Sequence, residues 1–167
     1  YKRQGVVTGI RGLIRHRTIQ AIGETAHAGA VDFPYRKDAA LACARFSSRL
    51  YDFWQHELSL GRDLVATTGV IRTSPSASMN KIAGERIVSL DARSLSAAEL
   101  TLFEKKVEAI LQETAEETGV IFKTDPLMRI APVEADEGVM KKLETSADIL
   151  KIGTQRMPSG AGHDAMN

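Results

Sequence analysis

The stretch from residue 85 to 93 constrains the fold most, because apolar and polar residues alternate along it. One side carries Val88, Leu90 and Ala92, and the other carries Ser89, Asp91 and Arg93. Successive side chains of a strand point to opposite faces, so this strand has one apolar and one polar face. That pattern is typical of an antiparallel sheet that is covered on one side and open on the other. The chain must therefore supply helices for the covered face.

Two amphipathic segments have the spacing of such helices. The first runs from about Lys37 to Glu57, and its apolar stripe is Ala39, Ala42, Cys43, Phe46, Leu50, Phe53 and Trp54. The second follows a capping box at residues 96–99 and ends at Gly119, where a left-handed backbone is easily adopted. Its stripe is Leu100, Phe103, Val107, Ile110 and Leu111.

Further strands are predicted at 8–22, 63–72 and 120–130, and Pro126 indicates an edge or a bulge in the last of these. The order β-α-β-β-α-β predicts an α+β two-layer sandwich, a four-stranded antiparallel sheet with two helices on one face. We therefore expect one domain over 8–132.

A third amphipathic helix is predicted over 134–151, and it has no partner within the sandwich. Residues 133–167 are expected to be a C-terminal helical extension that begins a neighbouring, incomplete domain. The chain starts without methionine and stops shortly after a Gly-rich run, which indicates a piece of a larger protein.

Composition argues against several classes of function. Lys and Arg number 22 against 21 for Asp and Glu, so no strong field favours nucleic acid. No apolar run approaches the ~20 residues that span a bilayer. The lone Cys43 permits no internal disulfide and is consistent with the cytoplasm. The four histidines lack the spacing of a zinc signature, so we expect no metal site within this chain.

His27 lies in a predicted loop after the first strand, between Ala26, Ala28 and Gly29. Small neighbours allow a ligand to approach closely. Such a histidine could donate to a developing oxyanion or polarise a carbonyl, and it could equally be a loop histidine bonded to the backbone.

Arg93 has a planar fork that could hold a substrate carboxylate, or it could pair with Asp91 or Glu85 on the surface. Asn80 could orient the same carboxylate or cap a turn. The run 159–162 could form a nest of backbone amides that faces an anion, or it could simply be flexible.

Several motifs together resemble the zinc-dependent amidase, hydantoinase and carbamoylase family. The residues that carry the resemblance are Gly23-Glu24 to His27-Ala28-Gly29, Arg36-Lys-Asp-Ala39, Asn80-Lys-Ile-Ala-Gly84, Asp91-Ala-Arg93 and Met157-Pro-Ser-Gly-Ala-Gly-His-Asp-Ala165. The family includes N-carbamoyl-L-amino-acid hydrolases, allantoate amidohydrolases and β-ureidopropionase of the yeast type. Ala83, where the family usually has Pro, and Ile14, where allantoate enzymes have Gln, weigh against allantoate.

The resemblance implies a homodimer that forms through a lid domain, with zinc or another divalent metal bound by residues beyond both ends of this chain. His27 would stabilise the tetrahedral intermediate in the partner subunit's site, and Asn80 and Arg93 would bind the substrate carboxylate. Gly162 and His163, in the Gly-rich run, would lie beside the ureido group. The chain alone would be inactive. Two non-catalytic alternatives remain, a dimerisation module and a ferredoxin-like regulatory module that binds a small amino acid.

Overall fold

The structure is a computed structural model that describes residues 3–166, apart from the side chains of residues 3 and 165. It is a mixed α/β fold with three α-helices over this range. The helices are α1 (Ala39–Ser59), α2 (Ala97–Thr118) and α3 (Glu137–Ile149). The strands are β1 (Arg3–Ile10), β2 (Gly12–Ile22), β3 (Ala26–His27), β4 (Val65–Thr67), β5 (Ile71–Thr73), β6 (Lys81–Ile82), β7 (Glu85–Ser94), β8 (Ile121–Thr124), β9 (Met128–Ile130), β10 (Val133–Glu134) and β11 (Gly153–Ser159).

The main sheet is antiparallel and runs in the order β4-β7-β2-β8, with β5 also paired to β7 and β9 also paired to β2. Helices α1 and α2 contact each other and the two central strands. The core between them includes the fully buried Phe46 and Phe103. The predicted alternation along β7 is confirmed, since Val88, Leu90 and Ala92 are all buried.

The sheet has six strands, so the predicted number of four was wrong. The segment predicted over 63–72 divides into β4 and β5, which pair with opposite ends of β7. The segment predicted over 120–130 divides into β8 and β9 around Pro126, which has no N–H to donate to the ladder. Both divisions fall on the edges of the sheet, where a break leaves the central pair intact.

The strand predicted over 8–22 is also two strands, and they lie in different sheets. The chain passes from β1 into β2 at Arg11, and β1 pairs in parallel with β11 and antiparallel with β10, outside the main sheet. Within β2, a register shift between His16 and Ile19 changes which face each side chain occupies. Ile14 and Ile19 are therefore both buried although they are five positions apart, which would put them on opposite faces of a regular strand.

The C-terminal extension is not only helical, because β11 and β10 form a three-stranded sheet with β1. The main contacts of helix α3 are with β1 and β11, and Met140 is its one buried residue. Residues 8–10 therefore pair with the extension, and the division into 8–132 and 133–167 stays a prediction. Asn167, which belongs to the predicted extension, lies outside the described residues.

The predicted ends of α2 are confirmed except for half of the capping box, because the Ser96 amide donates to the Ser94 hydroxyl at 2.9 Å and not to Glu99. Ser96 accepts a hydrogen bond from the Glu99 amide at 3.2 Å, and Gly119 adopts a left-handed backbone with φ of 66°. Glu99 accepts a bond from Arg62 at 3.3 Å. None of the helices in residues 3–166 is long and apolar enough to cross a membrane.

Candidate functional site

His27 lies on a two-residue strand rather than in a free loop. Strand β3 pairs antiparallel with β6, which sets His27 opposite Lys81. The ring is exposed, and its Nδ1 accepts a hydrogen bond from the Gly29 amide at 3.1 Å. Because Nδ1 accepts, the proton of the neutral ring is on Nε2, and Nε2 can donate to a ligand.

Two glycines hold this small ribbon against the rest of the domain. The Gly23 amide donates to the Gly84 carbonyl at 2.8 Å, and the Glu24 amide donates to the Lys37 carbonyl at 2.9 Å. A Cβ on Gly23 would lie 1.9 Å from the Lys37 carbonyl oxygen, and one on Gly84 would lie 2.7 Å from the Thr25 nitrogen. These glycines are therefore needed for close backbone packing.

Asn80 lies beside His27 because its carbonyl accepts a bond from the Ala28 amide at 2.9 Å. Its side chain is exposed, and its Oδ1 accepts a bond from the Ser78 hydroxyl at 2.8 Å. Arg36 fixes the same loop by donating to the carbonyls of Ala28 and Val31. His27 and Asn80 thus form one exposed group at one end of the main sheet.

Arg93 pairs with Asp91, as the surface alternative anticipated. Arg93 Nε donates to Asp91 Oδ1 at 2.7 Å, and Arg15 Nε donates to Asp91 Oδ2 at 2.8 Å. Burial raises the pKa of Asp91, but the hydrogen bonds from Arg93 and Arg15 outweigh it and hold the pKa below its usual value. Hydrogen bonding to Asp91 raises the pKa of Arg93, and partial burial opposes this. Two guanidinium groups on one carboxylate leave a net positive charge.

Sequence reasoning named Asp91 as a partner of Arg93 but missed Arg15. Residues 91 and 93 are two apart on one strand, so their shared face follows from the sequence alone. The pairing of Arg15 with residue 91 comes from the register of β2 on β7. That register includes the shift after His16, which no local pattern in the sequence reveals.

The Gly-rich run approaches Arg93 from the other sheet. Arg93 Nη1 donates to the Gly160 carbonyl at 2.5 Å, and the Arg11 amide donates to the Ser159 carbonyl at 3.2 Å. Gly162 is exposed and has open space where a Cβ would lie. His163 is exposed, and its carbonyl accepts a bond from the Met166 amide. Arg93 and this run therefore form a second group.

The two groups lie at opposite ends of β7. Ile22, just before the His27 ribbon, pairs with Glu85, whereas Leu13 pairs with Arg93 at the other end. Eight residues of strand separate positions 85 and 93, which is roughly 26 Å at ~3.3 Å per residue. One chain therefore brings Asn80 to His27 and brings Arg93 to Gly160, but it does not bring the two pairs together around one small ligand.

Over residues 3–166, no group of three or more His, Cys, Asp or Glu side chains is placed to hold a metal ion. The described residues thus form no metal centre of their own, and a metal whose ligands lie beyond both ends of the chain stays an expectation from the resemblance.

No protein-family model matches the chain. Among curated proteins, it is 29% identical over 97% of its length to an N-carbamoyl-L-amino-acid amidohydrolase from Paenarthrobacter aurescens. It is 30% identical over 96% of its length to an allantoate amidohydrolase from Escherichia coli. In both comparisons the chain spans 38% of the relative.

Solved structures give the same picture. A hydantoinase/carbamoylase family amidase from Burkholderia multivorans matches with a TM-score of 0.88 and 26% identity over 97% of the chain. AtUAH, solved in complex with (S)-hydroxyglycine and with glyoxylate, matches with a TM-score of 0.80 and 30% identity over 97% of the chain. Each match spans 38% of the solved chain. The sequence and the fold together match this chain to the hydantoinase/carbamoylase family of amidases, as a domain-length part of its members.

Proposed function

We propose that the whole protein hydrolyses the C–N amide bond of N-carbamoyl amino acids or related ureido acids. This chain would be its lid and dimerisation domain together with the start of its catalytic domain. The contact that carries the proposal is the bond from Arg93 Nη1 to the Gly160 carbonyl. This bond joins the Arg93 guanidinium of the main sheet to the Gly-rich run that follows β11 of the three-stranded sheet. It therefore supports a ligand site between the two sheets.

Arg93 is proposed to bind the substrate carboxylate. Asp91 engages Nε and one side of the fork, which fixes the plane of the guanidinium. Nη1 donates to Gly160, and Gly162 and His163 follow within three residues of that carbonyl. These bonds use three of the five guanidinium N–H groups, and the remaining one on each of Nη1 and Nη2 would donate to the two oxygens of a substrate carboxylate. Both ligands of AtUAH named above, (S)-hydroxyglycine and glyoxylate, carry a carboxylate group.

His27 and Asn80 are proposed to act in the site of a partner subunit. The end of β7 beside them is roughly 26 Å from Arg93, too far for both groups to contact the same small substrate within one chain. His27 Nε2 would donate to the oxyanion of the tetrahedral intermediate, and the Asn80 amide would assist in substrate binding. Both side chains are exposed, as groups that complete a neighbouring site must be.

The edge formed by β4 and β5 supports an arrangement of two subunits. It exposes Val65, Val70 and Ile71, and β4 pairs near Arg93 whereas β5 pairs near Glu85. A two-fold axis between β4 and β5 would place β4 of one subunit beside β5 of its partner. The His27 end of one subunit would then lie three strand spacings, roughly 14 Å, from the partner's β7 near its Arg93. Side chains and loops can span that gap.

A zinc or other divalent metal stays part of the proposal for the whole protein only. It would polarise the scissile carbonyl and activate water. No step assigned to residues of this chain depends on it, because the described side chains do not form a metal site.

The proposal is tested by the hydrolysis of N-carbamoyl amino acids by the full-length protein. We expect His27→Ala and Arg93→Ala each to lower kcat/KM by about 100-fold to 1,000-fold, the usual loss for an oxyanion donor or a buried charged contact. His56→Ala and Arg17→Ala, at exposed positions away from both groups, serve as controls. A wild-type rate in both site variants would refute the assigned roles. A dimer without hydrolysis would favour the non-catalytic module.

A further inference from the structure

Arg86 is a cation on the covered face of the main sheet. It lies on β7 two residues before Val88, so its side chain leaves the strand on the same side as the core residues. Its cross-strand neighbours are Ala21, which is fully buried, and Thr73 at the sheet edge. Its positive charge reaches Cys43 on α1, since it lowers the pKa of that thiol against the larger effect of burial. The guanidinium thus lies between the sheet and the first turns of α1.

The Nε of Arg86 is buried and has no hydrogen-bond partner among the residues that the structure describes. A buried donor without a partner destabilises the folded state, and more so when it is charged. Natural proteins therefore rarely leave such a donor unmet, and an ion or ligand outside the protein is one way to satisfy it. Arg86 accordingly points to an occupant that the polypeptide does not supply.

A cavity of about 350 Å³ adjoins Arg86. Besides Arg86, its lining includes Lys81 and the hydroxyl residues Thr25, Thr73, Ser74 and Ser76. Its size is near the lower end for ligand pockets, which suits a small group rather than a large apolar molecule. Cations and hydroxyl donors around a small space are typical of an oxyanion site.

The acidic residues of the cavity bond to other groups rather than to these cations. Asp38 caps α1 by accepting bonds from the amides of Ala40 and Leu41, and Glu85 accepts a bond from the Gln20 amide group at 2.6 Å. Within the described range, neither Lys81 nor Arg86 takes part in an ion pair. The charges of the lining balance, but no carboxylate bonds to either cation, so the N–H groups of Lys81 and Arg86 stay available to a ligand.

We propose that this cavity binds a small oxyanion group, a carboxylate or a phosphate, with Arg86 as its principal ligand. The site is separate from Arg93, which lies at the other end of β7. It adjoins the ribbon that carries His27, because Lys81 is the strand partner of that histidine. Binding there would fix the 74–81 segment, and it does not depend on the hydrolytic proposal.

The test measures thermal unfolding of the full chain in buffer free of phosphate and carboxylate. Inorganic phosphate and acetate are titrated separately, and sodium chloride at equal ionic strength controls for screening. A ligand that binds the folded state raises Tm in a saturable way. Arg86→Met is compared with the wild type, and Lys105→Met, at an exposed position of α2, is the matched control. We expect Arg86→Met to weaken the apparent affinity by about tenfold to a hundredfold, as for loss of a charged hydrogen bond.

Saturation by phosphate alone assigns a phosphate group, and saturation by acetate alone assigns a carboxylate. Both results support the site if Arg86→Met removes them and Lys105→Met does not. A response that sodium chloride reproduces, or one that Arg86→Met retains, overturns the proposal. Arg86→Met should still fold, because it removes a donor that the polypeptide leaves unmet, and phosphorus NMR line broadening of inorganic phosphate gives a second readout at fixed temperature.

Discussion

Gly23→Ala is expected to dislodge the ribbon that carries His27. The added methyl group would lie 1.9 Å from the Lys37 carbonyl oxygen, far inside van der Waals contact, so one of the two backbone segments must move. That carbonyl accepts the Glu24 amide at 2.9 Å, and the Gly23 amide itself donates to the Gly84 carbonyl at 2.8 Å. Both bonds depend on the spacing that the methyl group destroys.

The expected cost follows from these contacts. Overpacking costs about 1–3 kcal/mol, and each of two weakened backbone hydrogen bonds adds about 0.5–1.5 kcal/mol. The sum is roughly 2–6 kcal/mol, which lowers Tm by about 10 °C for a chain of this length. Since His27 follows four residues later, the activity proposed for the whole protein should fall as well.

Urea unfolding at 25 °C measures the change, with Gly69→Ala as the matched control. A Cβ on Gly69 meets nothing within 4 Å, so its replacement should alter the free energy of unfolding by less than about 0.5 kcal/mol. If Gly23→Ala were as stable as Gly69→Ala, the close approach of Gly23 to Lys37 would not hold the ribbon in place, and this reasoning would be refuted.

Two further predictions concern the sheet edge and the buried thiol. Ile71→Lys should weaken self-association, measured by sedimentation at micromolar protein, because Ile71 lies on the β4–β5 edge that is proposed to pair with a second subunit. Ile130→Lys, on the opposite edge of the sheet, should leave self-association unchanged. Equal effects of the two variants would argue against pairing through the β4–β5 edge. Burial raises the pKa of Cys43 from 9.0 to about 11, against a smaller opposing effect of Arg86. The folded state therefore prefers the neutral thiol. The contribution of this thiol to the free energy of unfolding is complete below pH 9 and is lost as the pH rises to about 11. This loss is on the order of 2 kcal/mol, and Cys43→Ala should abolish that part of the pH dependence in urea unfolding; an unchanged slope would contradict it.

The parts of the fold that the sequence predicted are those fixed by local patterns. The stripe of α2 from Leu100 to Leu111 is buried as expected, and its two ends are set by Ser96 and Gly119. These features depend on residues within a few positions of one another. The same holds for β7, whose alternation of apolar and polar residues identifies its covered face.

The parts of the fold that the sequence did not predict depend on pairing between segments that are distant along the chain. The parallel pairing of β1 with β11 joins residues about 150 positions apart, and no local period distinguishes it from a continuation into β2. Likewise, Val139 and Leu143 belong to an apolar stripe on α3 but are exposed. The candidate residues were selected by motif, and their division between two ends of β7 follows only from strand register.

Mixing two inactive variants tests the central claim most directly. Full-length His27→Ala and Arg93→Ala proteins are each expected to be nearly inactive, and they are unfolded and refolded together to form mixed dimers. If His27 of one subunit serves the Arg93 site of the other, each mixed dimer regains one intact site, and activity returns to about a quarter of the wild-type value. Activity that stays at the level of the separate variants would contradict a site built from two subunits.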